Sequence, residues 1–204
     1  MQSLNEAITD AKKRELAYKL QESRIRLIAN NPFYGLLLLN MKFSLDLNAG
    51  TAYTDGDRIA FEPLFLDGLT SKEVDYVLMH EVLHTALGHV WRGEDFSNQE
   101  TFNYAADIVV NSNILQSNHG DLSSITLADS GETMHNLPDG REGYLFSAEE
   151  IYPIIENWMA KDDHEYSDLT SKRKSEFMKT IQGKEDKDGN WDNHDKWSNP
   201  ESNG

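Results

Sequence analysis

The sequence contains no cysteine. That excludes a disulfide framework and a thiolate metal site, so any transition metal must be held by His, Asp or Glu. Basic residues are scarce: 19 Lys and Arg against 35 Asp and Glu leave a formal charge of -16 at pH 7, which repels phosphate backbones and anionic lipid. Nucleic acid and membrane surfaces are therefore poor partners, and a neutral or basic substrate fits better. Long apolar runs are missing too. The longest, GLLLLNM at 35–41, falls far short of the ~20 residues a bilayer span requires and reads as a buried strand or a helix edge. The opening MQSLNEAITDAKKRELAYKL mixes acids and bases at helical spacing around no apolar centre. It is unlike a secretory or transit signal, so the expected location is the cytoplasm.

What is present suits one core with peripheral extensions, the natural outcome for 204 residues. Leu4, Ala7, Ile8, Ala11, Leu16, Leu20, Ile25 and Ile28 recur at roughly helical intervals and predict an amphipathic helix ending before Pro32. In MKFSLDL, Met41, Phe43, Leu45 and Leu47 alternate as on one face of a strand. Asp55-Gly56 then lies between two short alternating segments, predicting a hairpin over 51–62 with a tight turn and an outer edge to which an extended peptide could add. Thr70 and Glu73 have capping-box spacing, and Val74, Val77, Leu78, Leu83 and Leu87 extend a helix toward Trp91. A second helix is expected from about Asn98 to Gln116, followed by a polar, aperiodic loop over 117–146. Ser147 and Glu150 open a helix reaching about Met159, which Pro153 should strain or bend. Beyond residue 160, a short helix near 168–181 and a polar tail are expected. The resulting fold class is α+β, with an N-terminal helix (1–31) packed on a core (32–160) and a charged extension (161–204).

The chemistry concentrates in MHEVLHTALGHVW at 79–91. Residues four apart on a helix are rotated by only about 40°, so His80 and His84 lie one above the other and can reach one ion. Glu81 points about 100° around the axis, where it can flank a metal without ligating it and take a proton from the attacking water. The His-Glu-x-x-His spacing is that of zinc peptidases. A catalytic zinc requires a third protein ligand and an open fourth position. His89 is a poor choice on a continuous helix, rotated about 140° from His84, and with Gly88 it misses the metzincin spacing; a structural role at the helix end fits it better. Asp107 fits as the third ligand: Asn103, Asp107 and Asn111 recur every fourth position in FNYAADIVVNSN. Such a stripe is ordinarily a solvent face. This one carries no Lys, Arg or Glu, and its neighbours are apolar, as expected for a carboxylate ligand flanked by orienting amides. Tyr104, His119, His135 and Tyr144 are further hydrogen-bond donors that could serve the site, and His194 could fold back over it.

AYTDGDRIAFEP, VLMHEVLHTALGH, NYAADIVVNSNIL, LPDG and FSAEEIY occur in this order. Together, over roughly residues 32–157, they resemble the bacterial and phage metallopeptidase domain that typically precedes a von Willebrand factor A-like domain. The resemblance implies a zincin-type fold, Zn2+ as cofactor and hydrolysis of a peptide or protein substrate. It matches His80, His84 and Asp107 to the metal ligands and Glu81 to the base, and it implies a von Willebrand factor A-like partner domain that this chain has no room for. The competing expectation is a non-catalytic binding module in which the metal staples two helices.

Overall fold

The computed structural model describes residues 8–128 and 131–160. The helix expected near 168–181, the extension 161–204 and His194 lie outside the described residues. Helix α1 (Asp10–Asn30) starts at Thr9, whose hydroxyl accepts the Lys12 amide, and stops at Asn31. Its apolar positions Leu16, Leu20 and Leu27 are buried in the main core. The ambiguous apolar run resolves as a helix, α2 (Pro32–Leu38), opened by a proline where the missing N–H costs nothing.

Strand β1 (Lys42–Leu45) is shorter than the alternation predicts, for Leu47 lies beyond it, 59% exposed. The hairpin is present as β2 (Ala52–Thr54) and β3 (Arg58–Phe61). Its turn spans three residues rather than two. Gly56 alone takes a positive φ (96°), and the Asp55 carboxylate accepts the Asp57 and Arg58 amides. The sheet order is β1-β3-β2, with β1 parallel and β2 antiparallel to β3. The hairpin's outer strand β2 forms an edge of the sheet as expected, but a covered one: Ala52, Tyr53 and Thr54 are all buried, with Thr54 Oγ1 3.1 Å from Thr85 Oγ1 of the following long helix. A short helix that the sequence pattern did not predict, α3 (Pro63–Gly68), follows. Lys19 of α1 donates to the Leu66 and Asp67 carbonyls at its end.

Helix α4 (Ser71–Ala86) begins at the expected capping box: Thr70 Oγ1 accepts the Glu73 amide, and Glu73 Oε2 accepts the Thr70 amide. From Glu73 to His84 every residue except Asp75 is buried, so His80, Glu81 and His84 have no solvent face to occupy. It ends earlier than the expected Trp91. Gly88 adopts the left-handed conformation (φ 71°) and the chain restarts in a new direction as α5 (His89–Arg92). Helix α6 (Gln99–Ser117) starts at Asn98 as expected. It lies between two apolar clusters, sending Val110 and Ile114 toward α1 and α4, and Phe102, Ala105, Ile108 and Val109 toward α7 (Ala148–Ala160).

The stretch 117–146 is not structureless. It holds a 3-10 turn (122–125), a two-stranded ribbon of β4 (Thr126–Leu127) and β5 (Gly131–Glu132), and a second 3-10 turn (143–145) before α7. Glu150 and Ser147 form the expected cap of α7, and the helix runs through an exposed Pro153. The protein is thus a mixed α+β fold with a small three-stranded sheet. No helix among the described residues is long and apolar enough to cross a membrane.

Candidate metal centre

The polar stripes of α4 and α6 face each other across the core. His80 and His84 are completely buried, and Asp107 is 2% exposed. The solvent-face reading of the α6 stripe therefore fails for Asp107 and Asn111, because apolar clusters cover α6 on both sides. His80 Nε2 and His84 Nε2 are 2.9 Å apart, and Asp107 Oδ1 lies 3.6 and 3.3 Å from them. A tetrahedral centre with metal–ligand bonds of about 2.1 Å separates its ligand atoms by ~3.4 Å, a spacing that these three distances bracket. The donor set, two imidazoles and a carboxylate without thiolate, suits zinc and other borderline divalent ions. No other His, Asp or Glu among the described residues joins this group.

Each histidine is oriented through its second nitrogen. Asn111 donates its amide N–H to the Met134 carbonyl at 2.8 Å, which fixes its amide orientation and turns Oδ1 toward His80 Nδ1 at 2.9 Å. His80 must then carry its proton on Nδ1, leaving the Nε2 lone pair for a metal. The Tyr76 hydroxyl lies 2.7 Å from the same Asn111 oxygen and 3.0 Å from Thr133 Oγ1, and Thr133 donates to the Ile125 carbonyl at 2.8 Å. The 122–146 stretch thereby buttresses His80 from behind. His84 is held differently: His89 Nδ1 lies 3.1 Å from His84 Nδ1. If His84 offered its Nε2 lone pair to a metal, its Nδ1–H would donate and His89 Nδ1 would accept, with the His89 proton on Nε2. On an unbroken helix His89 would point away. The left-handed Gly88 returns it to His84, against whose ring it is held.

Glu81 is fully buried beside the two histidines in sequence. Tyr104 is committed to Glu100 on its own helix, at 2.8 Å. His135 approaches the Thr133 carbonyl with Nδ1 at 3.2 Å, and His119, with a positive φ, is exposed at the end of α6. Tyr144 is half-buried in the second 3-10 turn. Neither histidine belongs to the cluster of potential ligands. Tyr76 and Thr133 escaped the sequence reading, although Tyr76 precedes His80 by four residues on the same face and could have been found by that spacing.

Fold and cluster together define a class: an α+β domain built around a buried imidazole–imidazole–carboxylate group suited to a metal ion. Residues 15–203 match the family described as "Putative metallopeptidase domain", and the chain belongs to that family. The match extends beyond residues 32–157 at both ends and takes in most of α1. Comparisons with curated proteins and with solved structures find no match.

Proposed function

We propose that the protein is a zinc-dependent peptidase of zincin type in which His80, His84 and Asp107 hold the metal and Glu81 is the general base. The observation that carries this reading is the convergence of His80 Nε2, His84 Nε2 and Asp107 Oδ1 within 3.6 Å of one another. Zinc held there supplies Lewis acidity toward the scissile carbonyl and lowers the pKa of water toward neutrality. His80 and His84 present their Nε2 lone pairs because Asn111 and His89 occupy the opposite nitrogens. Asp107 adds the negative charge that offsets part of the ion's. The Glu81 carboxylate takes a proton from the attacking water as the oxygen bonds to the carbonyl carbon. It then delivers that proton to the amine nitrogen as the C–N bond breaks.

A second reading has one observation in its favour. The four residues are 0–2% exposed, as in a metal that staples α4 to α6 within a non-catalytic binding module. Glu81→Gln distinguishes the two. The peptidase reading expects stoichiometric zinc in both forms, and cleavage of a peptide library by the parent alone. Retained cleavage by the variant overturns the assigned base, and zinc without cleavage in the parent establishes the staple.

A further inference from the structure

The two edges of the sheet differ. β2 is buried along its length, whereas β1 is exposed at Lys42 and half-exposed from Phe43 to Leu45. Among the described residues, no strand pairs with its outer side. The Lys42 amide donates to the Asp57 carbonyl at 3.2 Å, and the Asp46 amide to the Phe61 carbonyl at 2.9 Å. Successive peptide groups of a strand point to opposite sides, so residues 42, 44 and 46 bond toward β3. Phe43 and Leu45 turn their N–H and C=O groups outward, which makes this edge a template for another chain.

Beside the edge runs a groove of about 440 Å³, with Leu20, Gln21 and Arg24 of α1 on one wall and Lys42, Phe43 and Leu45 of β1 on the other. Its charged lining residues are both cations, Arg24 and Lys42, in a chain whose net charge is -16. The Arg24 guanidinium lies 4.1 Å from the centre of the Phe43 ring and donates to the Met41 carbonyl at 2.7 Å. Its buried Nε has no hydrogen-bond acceptor among the described residues. Desolvation draws the Arg24 pKa down, and a carboxylate brought alongside would offset that cost by a charge-assisted hydrogen bond.

We propose that the outer edge of β1 is a docking site for an extended acidic segment of a partner polypeptide, which adds as a further strand and sets its carboxylates against Arg24 and Lys42. The site is separate from the metal centre, since the metal helix α4 packs on β2 and β3, and it does not depend on hydrolysis. The acidic surface elsewhere on the protein is screened beyond about 8 Å at physiological salt, whereas the groove cations act at contact.

The test uses the full chain at physiological salt, with short peptides of alternating Glu and Val or alternating Lys and Val, read by fluorescence anisotropy and residue-resolved amide exchange. The Glu peptide should bind and the Lys peptide should not. Exchange should slow at the Phe43 and Leu45 amides and stay unchanged in β2. Lys42→Glu, at an exposed position where misfolding is not a concern, should weaken the Glu peptide by about fivefold or more. Equal binding of the two peptides, an unaffected variant, or protection in β2 would overturn the proposal. So would slow exchange at Phe43 and Leu45 before any peptide is added, because the chain itself or a second copy would then fill the edge.

Discussion

His80 and His84 are one turn apart on the same helix, yet different parts of the molecule hold them. His80 is backed by Asn111 of α6, and through it by Tyr76, Thr133 and the Met134 carbonyl. The support reaches across three chain segments. His84 is backed by His89, five residues away, after a bend at a single glycine. One imidazole is thus anchored by tertiary packing and the other by local chain reversal. A metal centre gains from such division, because each ring keeps its orientation if the other's support is disturbed.

Removing Asp107 should break both halves at once. Asp107→Ala leaves two imidazoles without a carboxylate partner, and stoichiometric zinc uptake measured by atomic absorption after dialysis should be lost. Asn111→Ala should act next most strongly. It takes the shared amide oxygen away from the His80 Nδ1–H and the Tyr76 hydroxyl in a buried site, costing about 1–3 kcal/mol of metal-free stability and about 10–100-fold in zinc affinity. Chemical denaturation and competition with a chelator read the two effects separately. His89→Phe should cost about tenfold in zinc affinity with little change in metal-free stability, because it removes one local contact and leaves the α6 network whole. If His89→Phe proves as damaging as Asn111→Ala, the division between tertiary and local support is wrong.

The smallest expected effect concerns the far end of α4. Desolvation raises the pKa of the buried Glu73, but the Thr70 side chain, the Ala128 and Thr70 amides and nearby Lys19 outweigh it, so the net shift is below the ordinary glutamate value. Glu73 therefore contributes stability that is present above its unfolded pKa and lost as pH falls through the lower folded one. Glu73→Gln should cost about 1 kcal/mol at neutral pH and make stability less dependent on acidification, as followed by denaturation at stepped pH.

The halves of the centre were unequally legible in the sequence. His80, His84 and Asp107 follow from four-residue spacing on two helices, because a helix places such residues on one face wherever it sits in the fold. The same spacing includes Tyr76 and Asn111. His89 is legible only once the helix is known to end, and Gly88 was the available signal. The buttress over 122–146 left no periodic trace, since part of it consists of the backbone carbonyls of Ile125 and Met134, which no side-chain pattern records. The run at 35–41 remained ambiguous because a short apolar stretch suits a strand or a buried helix equally. The parallel pairing of β1 with β3 depends on long-range register that local alternation does not encode.

X-ray absorption at the zinc edge of the loaded protein tests the central claim most directly, because it counts and types the donors around the ion together. Two imidazole nitrogens and a carboxylate oxygen from the protein are the predicted result. Three imidazoles, or two imidazoles with no carboxylate oxygen, would contradict it.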